Sequence, residues 1–203
     1  MTTNLYIILD KSGSMGNTER ATLSGINEYL QTLAKDGNHY HVTLTLFDTV
    51  VTKLWKSRVL DKDLKLTPEQ YSPGGMTALY DAVCSTLKNV SDEGKNLVVI
   101  MTDGFENSSK EYRRTDMKRI INDLQATDRW TFVYMGANQD AYAEAANYGI
   151  PTANSVTYNA TNIGTRAVFA AAGLATTGWA GQLATASSNF YSAEVQAHVE
   201  QTK

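Results

Sequence analysis

Two apolar runs, Leu5-Tyr6-Ile7-Ile8-Leu9 and Leu97-Val98-Val99-Ile100-Met101, stand far apart in the chain, and each breaks directly into a polar loop. Apolar runs of this length, bounded by turn residues, read as buried strands. Between and after them come stretches with helical spacing. Ile26, Leu30 and Leu33 stripe a helix expected over Glu19–Lys35, stopped by Lys35-Asp36-Gly37-Asn38. Met117, Ile120, Ile121 and Leu124 stripe another, expected over Glu111–Thr127. Strands that alternate with helices in this way predict an α/β fold, a doubly wound and mostly parallel sheet with helices on both faces.

The remaining elements fill in that frame. Tyr40–Phe47 alternates as a strand, and Asp48-Thr49 turns it into a hairpin with Val50–Trp55, an antiparallel edge strand. Ser57–Ser72 reads as a polar loop, then a second helix is expected over Ala78–Val90. Strands are expected at Asn96–Thr102, Trp130–Met135 and Ser155–Tyr158, with a short helix over Gln139–Tyr148. This makes six strands. Ala167–Ala184 is uncharged and rich in Ala and Gly. Thr176, Thr177, Gln182 and its glycines dilute it too much for a membrane span, so it reads as a final helix lying close to the sheet. Ala167, Ala171 and Ala175 also offer a face for self-association. The expected division is a domain over 1–184 and a C-terminal extension over 185–203, helical or frayed, with Phe190, Val195 and Val199 on one side.

Three loops carry the chemistry. Asp10-Lys11-Ser12-Gly13-Ser14 follows the first strand, Gly74-Gly75-Met76-Thr77 precedes the second helix, and Thr102-Asp103-Gly104 ends the strand at Asn96–Thr102. In an extended backbone, residues i, i+2 and i+4 point the same way, so Asp10, Ser12 and Ser14 can converge. Together the loops bring two carboxylates and three hydroxyls to one edge of a parallel sheet, where open α/β sheets bind ligands. Such hard oxygen donors suit Mg²⁺, Mn²⁺ or Ca²⁺. The alternative for Ser12 and Ser14 is that they cap the helix beginning near Thr18 or Glu19.

This set resembles the metal-ion-dependent adhesion site of the von Willebrand factor A domain family: Asp-x-Ser-x-Ser, then a distant Thr, then a distant Asp. Asp10, Ser12, Ser14, Thr77 and Asp103 match every position. The resemblance covers roughly residues 3 to 180. It implies a six-stranded sheet with one antiparallel edge strand. It also implies a metal held by Ser12, Ser14 and Thr77, with Asp10 and Asp103 behind them, and a non-enzymatic module that binds an Asp or Glu of a partner protein. Lys11, Met15, Met76, Phe105 and Glu106 neighbour these positions and form the expected rim, with Met15, Met76 and Phe105 as an apolar collar or with one or two of the three folded inward as core. Intracellular bacterial and phage relatives often work beside AAA+ ATPases of the MoxR class, which makes such an ATPase a candidate partner. An alternative is a Mg²⁺-dependent phosphatase-like hydrolase using Asp10 as nucleophile. Such enzymes place a second Asp two residues on, and here that position is Ser12.

Composition narrows the classes. A chain of 203 residues with 42% hydrophobic and 19% charged residues suits one soluble α/β domain. A net charge of −3 gives no general attraction to nucleic acid or an anionic membrane. Cys84 is the only cysteine, so no internal disulfide forms. With no basic, apolar leader before the first strand, the expected location is the cytoplasm, a host's cytoplasm if phage-encoded. The basic residues of Lys110–Arg119 read as a solvated helix face, and His39, His41 and His198 lack the spacing of a metal site.

Overall fold

The computed structural model describes residues 2–91, 93–138, 140–182 and 187–202. Strands are β1 (Thr2–Asp10), β2 (His39–Phe47), β3 (Val51–Val59), β4 (Lys95–Thr102), β5 (Trp130–Ala137) and β6 (Ser155–Tyr158). Helices are α1 (Glu19–Leu33), α2 (Leu79–Leu87), α3 (Arg114–Gln125), α4 (Ala141–Tyr148), α5 (Asn162–Ala180) and α6 (Ala193–Gln201). The strands form one sheet in the order β3-β2-β1-β4-β5-β6. All pairs are parallel except β2 with β3, which is antiparallel at the edge. The architecture is therefore the doubly wound, six-stranded sheet that the sequence predicts.

Side chains alternate across the strands and feed two cores. Leu5, Ile7 and Leu9 of β1 join Leu97, Val99 and Met101 of β4 on one face, under α1 and α5. Tyr6 and Ile8 join Val98 and Ile100 on the other, under α2, α3 and α4. Strand order reverses between β1 and β4, so their connections leave in opposite directions and open a crevice at their carboxyl ends.

Several boundaries shift for identifiable reasons. Helix α2 stops at Leu87 rather than near Val90, because Lys88 is extended and Asn89 adopts a left-handed φ of 58°. Helix α3 starts at Arg114 rather than Glu111: the Asp81 carboxylate accepts the backbone N–H groups of Lys110, Glu111 and Tyr112 and holds that stretch as a loop. Strand β3 runs on to Val59. Helix α5 makes its closest approach to α1, not to the sheet. Gly173 sits against Tyr29 and Thr32, and a Cβ on Gly25 would lie 2.3 Å from the Phe169 ring.

The expected division at 184/185 lies outside the described residues. The described part of the tail packs onto the domain. Phe190, Tyr191 and Val199 are buried in the α1–α5 core. The Asn154 side chain donates to Ser187 O at 2.7 Å and accepts from Phe190 N at 2.8 Å. Ala167, Ala171 and Ala175, considered above for self-association, line a groove whose other wall is Phe190, Tyr191 and Val195 of this tail. Among the described residues, no helix is long and apolar enough to cross a membrane.

Candidate metal centre

Asp10 is the last residue of β1 and is fully buried. The register pairs Leu9 with Met101, so Asp10 meets Thr102 across the β1–β4 crevice. Thr102 Oγ1 donates to Asp10 Oδ2 at 2.6 Å, and Ser12 N donates to Asp10 Oδ1 at 2.6 Å. The Tyr71 hydroxyl donates to the Asp10 carbonyl at 2.8 Å, fixing the main chain at the same point. Both carboxylate oxygens are thus aimed by the fold.

Beyond Asp10 the chain does not stay extended. Residues Gly13–Thr18 form a tight 3₁₀ turn, with Ser12 as its extended leading residue. The convergence expected from alternation is therefore produced by this turn. Ser12 Oγ and Ser14 Oγ lie 3.2 Å apart, and Ser14 Oγ donates to Asp103 Oδ1 at 2.5 Å. Neither the turn nor α1 receives a side-chain cap from its leading residue, Ser12 or Thr18. The Ser12 hydroxyl is accordingly free of the capping duty considered above.

Thr77 arrives on a loop gripped from three sides. Gly13 N donates to Gly75 O and Gly74 N to Lys11 O, tying it to the first loop. Met76 N donates to Thr49 Oγ1, and Ala78 N to the Asp48 carbonyl, tying it to the β2–β3 turn. Thr77 N donates to Asn107 Oδ1 while Asn107 N donates back to Thr77 O, tying it to the loop after β4. Gly75 has φ +72°, and a Cβ there would come 2.7 Å from Thr49 Oγ1, so this position needs glycine.

A Cβ on Gly104 would stand 3.3 Å from Thr77 Oγ1 and 3.7 Å from Ser14 Oγ. The two hydroxyls therefore border one small space that the missing side chain leaves open. All five sequence-derived positions meet here: Asp10, Ser12 and Thr77 buried, Asp103 half-buried, Ser14 open to solvent. Burial pushes the Asp10 carboxyl up to about 6, against hydrogen bonds from Thr102 and Ser12, and the Asp103 charge adds to the rise. Burial likewise raises Asp103, against the hydrogen bond from Ser14. Two hydroxyls at this space, one of them joined through hydrogen bonds to Ser12 and to two carboxylates that make no ion pair among the described residues, fit a hard divalent cation. No group of three or more His, Cys, Asp or Glu among the described residues could hold a metal, so any such ion here depends on the hydroxyls.

The rim differs from expectation in three residues. Met15 is fully buried beside Leu9 and Met101, because the 3₁₀ turn rolls its side chain inward. It is a core residue, not part of a collar. Lys11 is engaged in an ion pair with Asp48, so it props the β2–β3 turn and does not reach for a partner. Glu106 faces inward as well: its carboxylate accepts from Tyr80 N, Ser108 N, Ser109 N and Ser109 Oγ, which sets the path of the loop after β4. Met76 and Phe105 stand 51% and 62% exposed, as a collar requires, and Val50, 64% exposed on the adjoining turn, joins them. Sequence reasoning did not single out Thr102, Asn107, Thr49 or Val50 for a role. Thr102 alone carried a signal, a hydroxyl at the strand end beside Asp103.

No protein-family model matches the sequence, and no curated protein does. Solved structures do resemble the fold. The von Willebrand factor domain of the type V pili tip protein Mfa5 from Porphyromonas gingivalis superposes with a TM-score of 0.65 at 11% identity, over 89% of this chain and 96% of that one. Proximal thread matrix protein 1 from the mussel byssus gives 0.62 at 14% identity over 83% of this chain. Manganese-loaded TRAP from Plasmodium vivax gives 0.55 at 18%, over 78% of this chain and 68% of that one. This chain spans only 44% of the mussel protein. The fold is that of von Willebrand factor A domains.

Proposed function

We propose that the chain is a protein-interaction module that binds an acidic side chain of a partner through a divalent cation held by Ser12, Ser14 and Thr77. The observation that carries this reading is the meeting of three loops on the open space at Gly104, where hydroxyls line the space and both carboxylates stand close by. When bound, a Mg²⁺ or Mn²⁺ ion would supply Lewis acidity for an incoming carboxylate, since few anionic protein ligands leave its charge only partly neutralised.

The chain's own residues do the positioning. Asp103 orients the Ser14 hydroxyl, and Asp10 is in turn oriented by Thr102 and the Ser12 backbone. Asn107 holds the Thr77 main chain at both its N–H and its carbonyl. Such outer contacts fix ligand direction and tune affinity. Met76, Phe105 and Val50 then give the partner an apolar surface around the anchoring acid. The manganese-loaded TRAP structure supports a metal at this kind of fold.

The hydrolase alternative fares worse on geometry. A nucleophilic Asp10 would need an exposed oxygen, whereas the residue is fully buried with both oxygens accepting hydrogen bonds. We therefore read the chain as a binding module and not an enzyme, with one subunit of an AAA+ ATPase as a candidate partner.

Calorimetry with Mg²⁺ and Mn²⁺ tests the site. One binding event is expected, lost in Asp10→Ala and weakened at least tenfold in Ser12→Ala and Thr77→Ala. Undiminished binding by all three variants would refute the assignment.

A further inference from the structure

The groove that opens beside this site, between β3 and the start of α2, has a volume of about 540 Å³. Its walls include Thr49, Val50, Val51, Asp81, Ser85 and three lysines, Lys53, Lys56 and Lys110. The chain as a whole is acidic, with a net charge of −3, so a basic groove here runs against the general charge.

A specific backbone feature builds it. In the β2–β3 ladder Leu44 lies opposite Trp55, yet Thr45 lies opposite Lys53, which leaves Leu54 as an extra residue. Side chains alternate along a strand, so Lys53 and Trp55 would ordinarily share a face. The bulge separates them. Trp55 goes into the α1–α5 core with Leu44, while Lys53 falls on the α2 side and donates to the Thr86 carbonyl. Lys56 lines that same side.

Three lysines against the carboxylates of Asp81 and Glu111 leave the groove wall with one positive charge in excess. Among the described residues none of these three lysines makes an ion pair. Both oxygens of Asp81 are occupied by the backbone of Lys110, Glu111 and Tyr112. Glu111 is the other carboxylate on the wall, and it is exposed. Burial and the neighbouring Lys56 both disfavour the charged form of Lys53, a penalty that an incoming anion would relieve.

We propose that this groove receives an acidic segment of the same partner polypeptide whose carboxylate meets the metal centre. The inference rests on the metal-dependent reading above and extends it to the partner's sequence. The groove's head is Thr49–Val50, whose threonine hydroxyl accepts from Met76 N, one residue before Thr77. Its far wall, from Asp81 to Ser85, is one turn of α2, about 6 Å. An extended chain covers about 3.3 Å per residue, so two to four residues beside the anchoring acid span about 7–13 Å, at least the length of that wall. A polypeptide is favoured over a free phosphate because Val50 and Val51 form part of the wall, and those apolar side chains give phosphate nothing to bind.

The test uses a positional library of synthetic decapeptides with one fixed Asp, selected on the intact protein in Mg²⁺ and in EDTA. Asp and Glu should be enriched two- to fourfold at two to four positions on one side of the fixed residue. The enrichment should vanish in the Lys53→Gln/Lys56→Gln/Lys110→Gln variant, whose calorimetric Mn²⁺ affinity should stay within twofold of the parent. No acidic enrichment in the parent, or the same enrichment in the triple variant, overturns the proposal. Displacement by inorganic phosphate at low millimolar concentration, without any peptide preference, also overturns it. If the library is retained equally in EDTA while the flanking enrichment still depends on the lysines, the groove stands and the metal reading fails.

Discussion

Thr102 does more than finish a strand. Its hydroxyl donates to Asp10 Oδ2 at 2.6 Å and accepts from Gly104 N at 3.2 Å, so one side chain links the carboxylate of the first loop to the glycine of the third. Thr102→Val keeps the shape and removes the donor, leaving a buried carboxylate oxygen unpaired. Metal affinity should fall 10- to 100-fold, the usual loss for an outer-shell partner, and calorimetry would show it. Unchanged affinity would mean that Asp10 is held by Ser12 alone. Cys84 makes the opposite case, a reactive group that the fold silences. It is fully buried on the inner face of α2, and burial pushes its thiol up to about 12. Only the thiolate reacts. The sign follows: in the native protein the thiolate fraction keeps rising tenfold per pH unit past 9, whereas in the unfolded chain it levels off near its ordinary value. Iodoacetamide labelling at pH 8 should therefore be slow in buffer and fast in denaturant. Rapid native labelling would show that α2 opens readily.

Which parts of this molecule were legible in the chain depends on how far apart the cooperating residues lie. Strands β1 and β4 announce themselves as unbroken apolar runs, and β6 was legible to the residue because Pro151 and Asn159 bracket it. The five candidate positions stood out in the sequence because each sits at an element boundary where sequence pattern is strongest. Whether Met15 joined the collar or the core could not be decided from the chain, because a 3₁₀ turn breaks the link between neighbours in sequence and neighbours in direction. Lys11 and Glu106 misled for a related reason. Their partners, Asp48 and the α2 start, are contacts that only the tertiary fold creates. The tail was the least legible element, since its helix is short and the groups that hold it lie elsewhere in the chain. Asn154 is fully buried and holds the tail through both ends of its carboxamide. Asn154→Ala would orphan two backbone groups, a cost of about 1–3 kcal/mol. For a chain of this size that is a melting-temperature loss of roughly 2–4 °C per kcal/mol, measurable by calorimetry. No loss at all would mean that the tail contributes little to the cooperative unit.

The whole molecule sets its candidate site at the edge of a scaffold whose packing lies elsewhere. The two cores lie behind the crevice, and the loops that cross it are tied by hydrogen bonds between their own backbones. An ion at this position would add to a finished fold, unlike the ions of small metallo-domains whose folding free energy is metal binding. Two carboxylates half to fully buried without a countercharge are a modest burden that such a scaffold carries and that a cation would lift. The expected behaviour in thermal denaturation follows. In EDTA the protein should show one cooperative transition, with the sheet and helix signals lost together. Added Mg²⁺ should raise the midpoint by mass action alone, the stabilisation reaching about 2.7 kcal/mol at a hundredfold excess over the dissociation constant and continuing logarithmically with concentration. Asp10→Ala should melt as a folded protein with a midpoint that Mg²⁺ no longer moves. A chain that loses its transition in EDTA would make the metal a structural one. The open space at Gly104 would then be a folding device and not a place for a partner's acid.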